Sequence, residues 1–173
     1  HGLIESVGNW VLESALKQAA EWRKAGMRMR VAINVSGYQM RQDDFASRLE
    51  RGLRSHDVEA DGITCEIAEA AAMEDSVVTQ RAFGRLGKLG VHVAVDDFGA
   101  GQSRLTKLRR LPVRELKVDR GLVAEVATND EARTVVQAIV QMAHTLKLRV
   151  VAVGVETEAQ RDLLMALGCD EMQ

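Results

Sequence analysis

One proline, Pro112, one tyrosine, two tryptophans and three phenylalanines are all that 173 residues hold of those types. So little proline and aromatic content fits neither a proline-rich disordered linker, nor a collagen repeat, nor an aromatic-rich β-sandwich. Cysteine is as scarce. Cys65 and Cys169 make neither a disulfide framework nor a zinc cluster. Cys65 lies in an apolar run and reads as a small buried hydrophobe, and this cysteine usage points to the reducing cytoplasm. No apolar run approaches the roughly 18–20 residues that span a bilayer, so no membrane contact is expected of this segment. Neither sign of charge dominates: 23 basic residues face 25 acidic ones, interspersed, for a net charge of −2. A duplex-binding surface carries a basic excess or stripe, so DNA is not an expected partner. The opening His1-Gly2-Leu3-Ile4-Glu5 has no signal-peptide pattern and no initial methionine, and the chain reads as a piece of a longer one.

What is present is a core-forming chain, 46% hydrophobic and 28% charged, enough to bury one sizeable core. Leu12, Ala15, Leu16, Ala19 and Trp22 recur at helical spacing and predict a helix over 5–25, stopped by Gly26. Five short β-branched runs predict strands at Val31–Val35, Ile63–Ile67, Val91–Val95, Glu115–Val118 and Arg149–Val153. Helices are expected between them, at about 45–53, at 77–89 before Gly90, and at 133–146 behind an Asn129-Asp130 cap. Another comes after the capping box Thr157-Glu158-Ala159-Gln160 and ends at Gly168. Strand starts recur about every 24 to 34 residues, the length of a strand-plus-crossover-helix unit. Strands apolar on both faces imply a parallel α/β sheet covered by helices. An open doubly wound sheet and a (βα)8 barrel compete for that pattern. No glycine-rich phosphate loop succeeds any strand, which weakens the first. A barrel needs about 250 residues, so here it would be incomplete.

Polar residues fall at the strand ends: Asn34, then Glu66 and Glu69, Asp96-Asp97, Lys117 and Asp119, and Glu156. In a parallel sheet those ends share one face, where catalytic groups gather. Carboxylates converging there repel one another unless a cation sits among them, and hard oxygen donors favour Mg²⁺, Mn²⁺ or Ca²⁺ over zinc. Asp96 and Asp97 point in different directions and can serve two metals, or one metal and a water, while Lys117 supplies positive charge to a phosphate or an attacking water. The plainer alternative is that Asp97 caps a turn before Phe98-Gly99 and Lys117 pairs with a neighbouring carboxylate.

These residues carry a resemblance. Asn34-Val35-Ser36, Glu66-Ile67-Ala68-Glu69, Asp96-Asp97-Phe98-Gly99-Ala100-Gly101, Lys117-Val118-Asp119 and Gly154-Val155-Glu156-Thr157 occur in the order of the bacterial EAL family of cyclic di-GMP phosphodiesterases. Gly2-Leu3-Ile4 with Gly8-Asn9-Trp10-Val11-Leu12 resembles that family's first long helix, and Gly168-Cys169-Asp170 with Gln173 resembles its last strand. The resemblance covers the whole chain and implies a modified (βα)8 barrel, incomplete here because the first strands are missing. Residues 1–173 would be a single EAL-type domain truncated at both ends.

By position, the resemblance implies that Asn34, Glu66, Asp96 and Asp97 hold two Mg²⁺ or Mn²⁺ ions. It implies that Lys117 orients the catalytic water, that Glu69 braces the loop 97–104, and that Glu156 and Gln173 line the same pocket. The substrate would be cyclic di-GMP, opened to linear pGpG. Other domains of the same chain and a homodimer through the loop and helix near 98–111 are the implied partners. The segment bearing Glu-Ala-Leu would lie before His1. The family reads Glu-Gly-Val-Glu where this chain has Val153-Gly154-Val155-Glu156, so the glutamate of the metal-water centre is a valine, which neither accepts a proton nor ligates a metal. Ala68 replaces a usual threonine, and Gln102 and Arg104 a usual tyrosine and serine. The resulting expectation is a cytoplasmic domain that binds cyclic di-GMP and hydrolyses it weakly or not at all. An active divalent-metal phosphodiesterase and a ligand-free docking module are the alternatives.

The remaining features read more simply. His92 and His144 are expected as satisfied core histidines, Trp10 and Trp22 as core anchors, and Met40, Met73, Met142 and Met165 as core filler. Arg104, Lys107, Arg109 and Arg110 form a basic run expected on a solvated helix face, with Arg104 turned to the anionic ligand as the sharper reading.

Overall fold

The computed structural model describes residues 2–99 and 105–173. They form two compact units, one of His1–Ile67 with Glu74–Val93, the other of Ala68–Met73 with Ala94–Gln173.

In the first unit the predicted long helix is α1 (Gly2–Lys24), one turn longer at its start than its apolar spacing indicates. Next come β1 (Val31–Asn34), the single turn α2 (Gly37–Met40) and α3 (Phe45–Ser55). A 3₁₀ turn at Ala60–Gly62 leads into β2 (Ile63–Ala68). After the single turn α4 (Glu69–Ala72), which groups with the second unit, comes α5 (Val77–Leu89). Helix α5 is capped by Ser76 and closed by Gly90 in the left-handed conformation, as the glycine stop predicts. Strands β1 and β2 pair in parallel. Leu16 and Leu49 on facing helices, with Ile63, Ile67 and Leu86, are wholly buried.

The second unit carries most of β3 (His92–Phe98), α6 (Leu105–Leu108), β4 (Glu115–Val118) and α7 (Arg120–Glu125). It continues with α8 (Asp130–Thr145), β5 (Arg149–Ala152), α9 (Glu158–Leu167) and β6 (Glu171–Met172). Each strand pairs in parallel with the next, β3 with β4, β4 with β5, β5 with β6. A doubly wound sheet reverses its strand order at a switch point. This chain-order progression is that of a barrel wall. Helix α8 covers β4 and β5 with Val136, Val140 and Ala143, and α9 adds Leu164. Asn129 caps α8 and the Thr157–Gln160 capping box opens α9, both as expected.

Several expectations are corrected. β3 begins at His92 and runs on through Phe98, so Asp96 and Asp97 lie within the strand rather than behind it. β5 ends at Ala152, which leaves Val153 outside it. Trp10 is 69% exposed and Met165 61%, so neither is core. His144 is no core histidine either: it is partly exposed and bonded to Asp170.

Candidate functional site

In the first unit, the parallel register sets Asn34 opposite Glu66, which puts the two side chains on one sheet face. The ladder closes one step further on, where the Val35 N–H donates to the Glu66 carbonyl at 2.8 Å. Ser36 then turns the chain out of β1 through a capping box with Gln39. Asn34 is exposed, whereas Glu66 is buried between Cys65 and Ile67. A carboxylate at that depth persists only with hydrogen-bonding or cationic partners.

In the second unit, the β3–β4 register slips. Val95 is opposite Leu116, but Phe98 rather than Asp97 is opposite Val118. Asp96 and Asp97 therefore share the place facing Lys117, a bulge of two residues against one. In a regular strand the two aspartates would alternate between faces. Here Asp97 takes the left-handed conformation at φ 55° and its N–H donates to the Asp96 carboxylate at 2.9 Å. Desolvation first, then the nearby Asp96 and Asp119 carboxylates, push the Asp97 pKa up, while Lys117 pulls it down. That field marks Asp96, Asp97, Lys117 and Asp119 as one electrostatic group. Lys117 is buried in β4, and Asp119 caps α7 by accepting from the Gly121 and Leu122 N–H groups.

Immediately after the bulge, one peptide group is held from both sides. The Phe98 carbonyl accepts from the Asp119 N–H at 3.0 Å, and the Gly99 N–H donates to Glu69 Oε2 at 3.1 Å. Gly99 has φ 102°, and a Cβ there would lie 2.8 Å from Leu122 Cδ1, so any side chain there is strained and displaces Leu122. Glu69 is 6% exposed.

Gln173 closes the turn after β5, and Glu156 follows that turn. Val153, half-buried, precedes Gly154 at φ 80°, and the Gly154 and Val155 N–H groups both donate to the Gln173 carbonyl. Gln160 Oε1 accepts from the Glu156 N–H at 2.8 Å, and the Glu156 carboxylate pairs with Arg120 at 2.9 Å. Sequence reasoning missed Arg120; its place directly after Asp119 at the start of α7 was the available signal. It also read Lys107 as solvated, whereas its Nζ donates to the Met73 carbonyl. Arg104, proposed against the ligand, lies outside the described residues, as does Gln102 and part of the 98–111 segment.

The predicted donors thus stand as Asn34 with Glu66 in one unit and Asp96 with Asp97 in the other. Among the described residues no group of three or more histidine, cysteine, aspartate or glutamate side chains forms a metal cage by itself. The donor chemistry, one amide oxygen and three carboxylates, fits an oxygen-loving dication such as Mg²⁺ or Mn²⁺ and not zinc. Among the same residues no helix is long and apolar enough to cross a membrane.

The family model described as the EAL domain matches residues 1–173. A bifunctional diguanylate cyclase/cyclic di-GMP phosphodiesterase, MucR of Pseudomonas aeruginosa, is 38% identical over 173 residues, covering 99% of this chain and 25% of its own length. The cyclic di-GMP phosphodiesterase PdeR of Escherichia coli is 33% identical over 172 residues, covering 99% and 26%. The chain spans about a quarter of the length of these curated relatives. Among solved structures, the PaMucR phosphodiesterase in a c-di-GMP complex superposes with a TM-score of 0.95 at 38% identity, over 99% of this chain and 70% of that one. The EAL domain of Mycobacterium smegmatis DcpA gives 0.89 at 34% identity, over 96% and 75%. The fold class is α/β, an incomplete modified (βα)8 barrel, as the strand order indicates.

Proposed function

The chain belongs to the EAL domain family, and from that premise we propose that it is a cyclic di-GMP signalling domain that binds the dinucleotide and hydrolyses it weakly or not at all. The similarity to relatives named as cyclic di-GMP phosphodiesterases and to a structure holding c-di-GMP supports the ligand. The observation that carries the limit on hydrolysis is Val153. It is the residue just past β5, an apolar side chain at the position where the family pattern carries a glutamate.

Asn34, Glu66, Asp96 and Asp97 would hold Mg²⁺ or Mn²⁺, which when bound polarises a phosphoryl oxygen and acidifies a water. Lys117, buried and fixed on β4, steadies charge at the phosphate or the attacking water. Glu69 holds the backbone just behind the aspartate pair, and Glu156, Gln173 and Arg104 contact the nucleotide. With valine at position 153, no carboxylate takes the water's proton there, and loss of a general base costs about 10²–10⁴-fold in rate. The domain acts in the cytoplasm within a longer chain, and pairs with a second copy through the segment near 98–111.

An active phosphodiesterase is the second reading, favoured by the presence of Asn34, Glu66, Asp96, Asp97 and Lys117 together. Calorimetry of the full-length protein with cyclic di-GMP, with and without Mn²⁺, and chromatography of the products separate the readings. Binding without pGpG is the expected result. Rapid conversion to pGpG would establish the enzyme, and no binding in either condition would leave only a docking module.

A further inference from the structure

We propose that Lys107 is a positioning residue of this site, acting with Glu69 to make the one-turn helix α4 a bracket that holds the chain at Gly99 and again at Lys107. The proposal rests on the cyclic di-GMP reading for its consequence, though not for its geometry. The four residues of α4, Glu69–Ala72, are too few to satisfy their own carbonyls, since the last four of any helix lack intrahelical partners. One is met when the Met73 N–H returns to the Glu69 carbonyl at 2.8 Å. The carbonyl of Met73 itself, the capping residue, accepts from Lys107 Nζ at 3.0 Å in a half-buried setting. An ammonium donor at a helix C-terminus is a charge-assisted bond of favourable sign.

The other end of α4 carries Glu69, whose carboxylate takes the Gly99 N–H. That peptide group's carbonyl belongs to Phe98 and accepts from the Asp119 N–H. Its plane is therefore fixed on both edges, directly after the strained Asp97 at φ 55°. Releasing Lys107 frees one end of α4 and lets Glu69 shift. The orientation of the Phe98–Gly99 peptide, and with it that of Asp97, is then less tightly set. All of these groups lie in the second unit.

The test uses the full-length protein and the variants Lys107→Met, which keeps the stem and removes the donor, and Lys107→Arg, which restores a cationic donor. Backbone amide exchange at Gly99 and Mn²⁺-dependent cyclic di-GMP affinity are measured together with Tm. Lys107→Met is expected to speed Gly99 exchange roughly tenfold and to weaken ligand binding several-fold, about what one charge-assisted hydrogen bond contributes. Lys107→Arg should restore both. Unchanged Gly99 exchange in Lys107→Met overturns the proposal, as does a fall in Tm that Lys107→Arg repairs without repairing exchange. If the unmodified protein binds no cyclic di-GMP, the functional reading fails while the exchange comparison still decides the role of Lys107.

Discussion

Val153 stands half-buried between Ala152, which is fully buried, and Gly154, whose φ of 80° turns the chain away. At that half-buried place a glutamate carboxylate keeps partial access to water. Val153→Glu is therefore expected to fold and to raise pGpG formation in the full-length protein with Mn²⁺ by about 10²–10⁴-fold, the usual worth of a general base. No gain would mean that more than the base is broken. Gly99 makes the opposite kind of prediction. At φ 102°, with a Cβ that would press on Leu122 and Ile139, Gly99→Ala is expected to cost about 1–3 kcal/mol. By calorimetric unfolding that lowers Tm by a few degrees. Asp96, Asp97 and Lys117 stand out in the sequence, because charge inside an apolar run is costly. The left-handed conformation of Asp97 was not legible there: nothing in the letters Asp96-Asp97 distinguishes a strand end from a bulge. Nor was the exposure of Trp10, because helical spacing assigns a face without saying whether anything covers it.

Elements were read best where side chains cap backbone. Asn129 Oδ1 accepts from the Glu131 and Ala132 N–H groups at 2.9 and 3.3 Å, so Asn129→Ala should destabilise α8 and the fold by about 1 kcal/mol in denaturant titration. One-turn helices such as α4 and α7 went unread, since four to six residues show no period and their positions depend on tertiary hydrogen bonds. The junction of β5 and β6 depends on such a bond. Asp170 accepts from His144 Nε2 at 2.9 Å and from the Val150 N–H at 2.7 Å. Burial works against its charge, yet these bonds and the positive charges of His144 and Arg149 hold its pKa below the ordinary carboxylate value. A depressed carboxylate contributes stability that is present above its unfolded pKa and lost as pH falls through the folded one. Thermal unfolding measured from pH 6 downward should therefore show Tm beginning to fall near pH 4. Asp170→Asn should flatten that limb, and an unchanged acid profile would remove Asp170 from the cause.

At the scale of the whole chain, the α/β class was legible because buried parallel strands are apolar on both faces and recur at crossover-helix spacing. The missing phosphate loop only weakened the open sheet; the barrel was what the family resemblance implied, and the chain-order pairing in the second unit agrees with it. Composition did not reveal an unpaired apolar surface. Leu3, Val7 and Trp10 lie on one face of α1 and are 78, 51 and 69% exposed. Among the described residues β1 pairs with β2 alone, and Val7, Val11 and Ala15 line a groove with Ala32 of β1. An apolar face beside a strand with unmet backbone groups drives self-association in water. The 173-residue chain taken alone is thus expected to bind a hydrophobic dye and to grow in hydrodynamic size with concentration. Leu3→Glu combined with Trp10→Glu removes exposed apolar area without touching the buried Leu12 and Leu16 side, and should suppress both effects while leaving Tm nearly unchanged. A chain that stays monomeric and dye-free over the whole concentration range would show that this face is already covered by the chain's own residues.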